Sequence, residues 1–226
     1  MLDRAETLQR RTSTDIVFEQ LHDEISSLVI LPGTKLSEVD IAQRFGVSRQ
    51  PVRDAFNRLE NLDLLFIRPQ RATEVRGFSM ERIAYARFVR LAVELEVIQR
   101  ACSIWDAARA EALNQNLQLQ QQALLSDQTD QFHALDYHFH KLICELGDCP
   151  MAFVTIEECK KKMDRLCVLS LDRKDESATL FDDHQKLAKA LKDGSANEAT
   201  AVARQHFARL DSVITDVHNK HSEYFE

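Results

Sequence analysis

Asp136 and His140 stand four residues apart in a stretch with helical spacing, so one helix turn carries a carboxylate and an imidazole on the same side. Two more histidines sit in apolar stripes: His184 among Leu180, Leu187 and Leu191, and His206 among Val202, Leu210 and Val213. Burying unpaired imidazoles is costly, and neutral imidazole is the commonest metal ligand, so this set has the chemistry of a divalent-metal site. Asp193-Gly194-Ser195 breaks the chain between the last two histidines, which lets two antiparallel helices bring them to the same depth. Spacing alone leaves a second reading equally open, in which these are core histidines satisfied by protein partners. Arg90, one turn ahead of Glu94, reads from spacing as half of an intrahelical ion pair.

A different chemistry stands in the first third of the chain. Ser48-Arg49-Gln50-Pro51-Val52-Arg53 opens a helix, with Ser48 as N-cap and Pro51 in the first turn, where a missing N–H costs nothing. Val52, Phe56 and Leu59 turn inward, which leaves Arg49, Gln50 and Arg53 at the exposed N-terminal end. Such a helix end enters the major groove of DNA, where arginine bridges guanine O6 and N7.

The elements that must position these residues follow from periodicity. Ile16, Val17, Leu21, Ile25, Leu28 and Val29 mark a helix over 14–29 that Leu31-Pro32-Gly33 stops. A short helix follows from about Glu38 to Phe45, closed by Gly46, so helix, tight glycine turn and helix make a helix-turn-helix. Leu64–Ile67 and Thr73–Val75 are β-prone runs joined by Arg68-Pro69-Gln70-Arg71-Ala72, and predict a two-stranded wing with a basic tip. From Ser79 onward the spacing predicts about six helices, near 79–103, 106–125, 129–147, 150–171, 177–193 and 196–222.

With 226 residues, only five glycines and four prolines, the chain reads as two mainly α domains. The net charge of -7 argues against nonspecific coating of nucleic acid, yet between Arg44 and Arg76 seven arginines face four acids, a local positive excess. Five cysteines without a C-x-x-C pair indicate reduced thiols rather than a disulfide framework or zinc knuckle. No apolar run reaches membrane-spanning length and Met1 to Glu6 lacks the apolar core of a secretion signal, so a soluble cytoplasmic protein is expected.

The run Pro32-Gly33-Thr34-Lys35-Leu36-Ser37-Glu38 followed by Ile41-Ala42-Gln43-Arg44-Phe45-Gly46-Val47-Ser48-Arg49-Gln50-Pro51-Val52-Arg53-Asp54-Ala55 closely resembles the DNA-binding domain of the GntR family, over about 14–77. The order Asp136-x-x-Phe139-His140, Asp183-His184 and Gln205-His206, with Arg90-x-x-x-Glu94 upstream, resembles the FCD ligand-binding domain of the FadR subfamily, over 80–222. The resemblance implies a mainly α fold: a winged helix-turn-helix over 1–78 and an all-α FCD bundle over 79–226. It implies homodimers on pseudo-palindromic operators, with Arg44, Arg49 and Arg53 on the DNA; Ser48, Gln50 and Arg71 complete the expected contact set. It further implies that Asp136, His140, His184 and His206 hold a divalent metal, that a ligand carboxylate completes the coordination, and that Arg90 clamps an anionic effector. One carboxylate and three imidazoles suit Zn²⁺, with Ni²⁺ and Mn²⁺ compatible. Asp63 and Ala72 stand where the family usually has glycine.

Two rival functions use the same residues. A metal with open positions could activate water in a hydrolase, and a metal could also be purely structural in a DNA-binding protein. The sequence holds no H-E-x-x-H, nucleophile elbow, P-loop or dinucleotide fingerprint. The expectation is a non-enzymatic transcription regulator whose operator affinity responds to a small organic acid.

Overall fold

Val17, Leu21 and Ile25 share one face of α1 (Ser13–Ser26), which Thr12 and Asp15 start with a reciprocal capping box. The computed structural model describes residues 11–68, 71–169 and 173–226, with only the backbone described at residues 164 and 173–176. After α1 the chain forms β1 (Lys35–Leu36) and then α2 (Glu38–Phe45), where Ser37 accepts from the amides of Val39 and Asp40. Gly46 closes α2 in the left-handed conformation at φ 64°, and Ser48 leads into α3 (Arg49–Asn61). Asp63 follows at φ 60°, which explains the usual glycine there: the backbone is left-handed, and aspartate is among the few side chains that tolerate it.

β2 (Leu65–Phe66) and β3 (Thr73–Val75) form the expected hairpin, with Leu65 opposite Val75. The wing is nonetheless a three-stranded antiparallel sheet of order β1-β3-β2, because Lys35 and Leu36 pair with Glu74 and Thr73. The two-stranded expectation is corrected here, and the reason is length, since two residues show no alternation to read. Pro69 and Gln70 of the expected tip lie outside the described residues. Val17, Leu21, Ile25, Leu36, Val52, Phe56, Leu59, Leu65 and Val75 form one core.

The second unit is helical: α4 (Met80–Ile104), α5 (Ala107–Leu125), α6 (Thr129–Leu146), α7 (Ala152–Cys167), α8 (Arg173–Lys192) and α9 (Ala196–Lys220). The long α4 packs against α6, α7, α8 and α9, while α5 lies against α6 and α8. Val97, Ile98, Phe139, Ile143, Ile156, Leu187 and Leu191 fill its main core, with Ala199 and Ala203 letting α9 approach. Of the expected spans, 150–171 shortens to α7 and 177–193 starts earlier as α8; residues 170–172 are outside the described set.

The chain separates into Met1–Ser79 with Glu223–Glu226, and Met80–Ser222. The last four residues thus group with the first unit, not with residues 79–226 as the expected boundary had it. The cause is a parallel bridge: the Phe78 amide donates to the Tyr224 carbonyl and the Glu226 amide to the Phe78 carbonyl, each at 2.8 Å. All five cysteines are free. Among the described residues no helix is long and apolar enough to cross a membrane.

Candidate metal centre and nucleic-acid interface

α6, α8 and α9 bring Asp136, His140, His184 and His206 together. One ligand-type atom from each lies within 4.8 Å of all the others, and all four side chains are buried. Asp136 and His140 share a face of α6, and the break at Gly194-Ser195 turns α9 back along α8, so His184 and His206 meet with ring centroids 4.9 Å apart.

The rings are held from behind. His140 Nδ1 donates to Glu94 Oε2 at 2.7 Å, and Glu94 Oε1 accepts from Arg90 Nε at 2.7 Å. His184 Nδ1 donates to Gln120 Oε1 at 2.8 Å, and Gln120 is fixed by Asn116, to whose Oδ1 its Nε2 donates at 2.7 Å. This leaves Nε2 of both His140 and His184 buried without a hydrogen-bond partner. An imidazole anchored through one nitrogen, with the other lone pair unspent inside the protein, is what a metal ligand requires. Asp136 Oδ1 lies 3.3 Å from His184 Nε2 and 3.7 Å from His140 Nε2, while its Oδ2 accepts from Lys160 Nζ at 3.0 Å. His206 Nδ1 faces Asp183 Oδ2 at 3.7 Å, and Arg209 grips Asp183 through two bonds of 2.5 and 3.0 Å. The residues present therefore fit a divalent ion.

Charges follow the same geometry. Burial pushes the Glu94 carboxyl up, but the charges of His140 and Arg90 outweigh it and bring it to about 2. Burial also opposes ionisation of Asp136, yet Lys160 and the neighbouring imidazoles hold it well below the usual carboxylate range. Burial drives His184 down and His206 down to about 4, so both are neutral near pH 7. His140 is raised, because Glu94 and Asp136 outweigh its desolvation.

Arg90 does form the intrahelical pair with Glu94, and its guanidinium also stacks 4.7 Å from the Phe207 ring centroid. It lines a cavity of about 320 Å³ between α4, α7 and α9, together with Arg87, Leu91, Met163, Arg204 and Phe207. None of the four ligand-type side chains lines that cavity; Arg90, through Glu94, and Phe207, whose ring packs on His140 and His206, border both regions.

At the start of α3 the expected DNA-facing side chains are exposed but already engaged. Arg49 Nη2 donates to Glu38 Oε2 at 2.8 Å, and Arg53 donates to the same carboxylate through Nη2 at 3.1 Å and Nε at 3.3 Å. Gln50 donates to Asp54 at 2.9 Å. Arg44 pairs with Glu24 in a two-point contact, with Nη1 donating to Oε2 at 2.8 Å. Ser48 stands at the N-cap with extended backbone, but its side chain makes no capping bond, contrary to the expected cap. Arg71 is exposed beside the tip of the wing. Sequence reasoning missed Glu38, Glu24, Gln120, Lys160 and the role of Asp183; each lies on a different helix from its partner, beyond the reach of spacing.

A winged helix-turn-helix followed by a helical bundle with a buried Asp-His₃ cluster defines a DNA-binding regulator. Residues 13–75 match the bacterial regulatory proteins of the gntR family and residues 86–209 match the FCD domain. The chain belongs to the GntR family of transcriptional regulators, with an FCD domain at its C-terminal side. It is 34% identical to the HTH-type transcriptional repressor RspR of Escherichia coli (strain K12), over 92% of each chain. The gluconate operon transcriptional repressor of Bacillus subtilis (strain 168) is 25% identical, over 96% of this chain and 91% of that one. Among solved structures, E. coli McbR/YncC shares the fold with a TM-score of 0.69 at 20% identity, covering 91% of this chain and 98% of its own. A GntR regulator from Rhodococcus sp. RHA1 gives 0.69 at 22%, covering 90% and 97%.

Proposed function

We propose that the protein is a homodimeric, cytoplasmic regulator that binds an inverted-repeat operator and changes its grip when a small carboxylate occupies a metal centre in the second unit. The observation that carries this reading is the buried cluster: four ligand-type atoms within 4.8 Å, with the Nε2 atoms of His140 and His184 lacking a hydrogen-bond partner. Asp136, His140, His184 and His206 would hold the ion; this donor set favours Zn²⁺, with Ni²⁺ and Mn²⁺ compatible. Bound there, it supplies a Lewis-acidic anchor for a carboxylate. Arg90, at the edge of the arginine-lined cavity, is the partner for the effector's anionic end. The relative named for a gluconate operon fits an effector among sugar and organic acids.

On the DNA side, Arg49, Gln50 and Arg53 are placed for base edges, Ser48 offers its unspent hydroxyl at a helix N-terminus, and Arg44 and Arg71 flank them for the backbone. Paired half-sites follow from the two-fold symmetry of a dimer. The effector regulates only through unequal affinity for DNA-competent and DNA-incompetent states. α4 is the transmitter in this scheme, since it begins directly after the first unit and carries both Arg90 and Glu94.

One set of purified proteins tests both halves: wild type, His184→Ala and Arg53→Ala, assayed for metal by elemental analysis and for binding to an operator obtained by in vitro selection. Wild type should carry about one divalent ion per chain and His184→Ala should lose most of it. Arg53→Ala should keep the metal and weaken operator binding by about 1–3 kcal/mol. Equal metal in wild type and His184→Ala sinks the centre; unchanged operator affinity in Arg53→Ala removes Arg53 from the readout.

A further inference from the structure

Glu38 is the first residue of α2 and lies 11 and 15 positions before the two arginines that it joins. Its carboxylate accepts three hydrogen bonds, one from Arg49 and two from Arg53, at 2.8 to 3.3 Å. The carboxylate is 25% exposed, whereas the guanidinium-bearing side chains are 59% and 51% exposed, so the anchor is recessed and the arginines reach past it. Arg49 and Arg53 hold Glu38 below the ordinary glutamate range despite some burial, so the anchor is ionised at neutral pH.

A guanidinium has five N–H donors in a rigid planar fork. Glu38 engages the Nε and Nη2 edge of Arg53 and one terminal nitrogen of Arg49, which leaves further donors on both side chains. A fork fixed along one edge has its other donors aimed before the DNA arrives. That matters because holding a long side chain in one geometry costs rotamer freedom, and a guanine accepts two such donors only when they are aligned. The same carboxylate places a negative charge beside the face that meets phosphate, which penalises loose, unaligned binding to any duplex. Holding the arginines for the right acceptor and repelling the wrong one both raise the ratio of specific to nonspecific affinity.

We propose that Glu38 is the positioning residue that sets the sequence discrimination of this regulator, by buttressing Arg49 and Arg53 against base edges while opposing nonspecific phosphate contact. This rests on α3 being the reading helix, as proposed above. Its role is distinct from that of an ordinary surface ion pair, which is worth little to stability.

The test uses the full-length protein and compares the selected operator with a scrambled duplex of equal length, across a salt series. Glu38→Gln keeps size and polarity but loses the charge and one of the two equivalent acceptor oxygens. Its operator affinity should fall about tenfold, while affinity for the scrambled duplex holds or rises, so the specificity ratio drops by at least about tenfold, or roughly 1.4 kcal/mol. Glu38→Asp, which keeps the charge on a shorter arm, should hold the scrambled duplex at wild-type affinity while the operator weakens. A structural defect would instead weaken both duplexes together, which overturns the proposal, as does a wild-type ratio in Glu38→Gln. Arg53→Ala serves as the control on the reading beneath it. If Arg53→Ala also binds the operator as wild type does, Arg53 does not read it and the reading beneath the proposal fails; if only Glu38→Gln keeps the wild-type ratio, the buttress alone is wrong.

Discussion

A histidine buried without its proton records its environment in the pH dependence of stability. His206 is almost fully buried, and burial lowers it to about 4 from an ordinary value near 6.5. The unfolded chain therefore takes up a proton as pH falls through about 6.5, while the folded chain does not until about 4. Between those values the unfolded state binds more protons, so the metal-free protein must lose stability as it is acidified, by up to about 3 kcal/mol from this group. His140 works in the opposite sense, because Glu94 and Asp136 raise it above its ordinary value against its burial. The contribution of His206 is isolated by denaturing chelated wild type and His206→Gln at pH 7 and at pH 4.5. Trp105, the one tryptophan of the chain, reports on the second unit through its fluorescence. The acid-induced loss should shrink in the variant, and an equal loss in both proteins would show that His206 is not held neutral. The three histidines were legible in the sequence because each lies in or beside an apolar stripe, and Asp136 because it stands one turn before His140; it was the resemblance to the FCD order, and not spacing, that singled the four out as a ligand set. Their supports were not: Gln120 and Lys160 come from α5 and α7, and Lys160 sits in a run of three lysines that reads as a solvated face.

At the scale of the element, the turn between α2 and α3 sets where the arginines point. Gly46 takes φ 64°, and its amide bonds back to Gln43 at 3.2 Å. A Cβ built there meets nothing within 4 Å, so Gly46→Ala carries no steric penalty beyond that of its own backbone. The left-handed conformation costs an alanine about 1–2 kcal/mol, which should appear as lost hydrogen-exchange protection in α2 and α3. Undiminished protection would mean that the turn relaxes to another conformation at no cost. This turn was legible because Gly46 follows a short helix with an apolar inner face at Ile41, Ala42 and Phe45 and precedes a serine and a proline. β1 was not legible, since a two-residue strand is defined only by its partner β3. The cap at Ser48 was legible in position and not in chemistry: the backbone is extended as a cap requires, but the side chain leaves the helix amides unbonded. Side-chain rotamers at an exposed helix end are decided by neighbours that the sequence does not order.

At the scale of the whole molecule, Glu223–Glu226 group with residues 11–79 in one unit, although α9 before them belongs to the other. Phe225 follows α9 by only a few residues, yet its ring packs 5.3 Å from Phe78 and its neighbours pair with the Phe78 backbone. Phe78 is 4% exposed, so the four-residue C-terminal piece is part of what covers it. Nothing in the spacing of Ser222-Glu223-Tyr224-Phe225-Glu226 announces this, because the bridge depends on where a distant segment lies. Phe225→Ala removes an aromatic contact from a half-buried site, and the lost apolar burial should lower the stability of the first unit by about 1–2 kcal/mol. Deleting Glu223–Glu226 also removes the two 2.8 Å backbone bonds and should cost more. Hydrogen exchange in α1 and α3 reads the first unit, and Trp105 fluorescence reads the second. The expected result is faster exchange in the first with an unchanged denaturation midpoint in the second. If exchange in α1 and α3 is unaffected by the deletion, the tail does not stabilise the first unit, and the bridge at Phe78 is incidental to its fold.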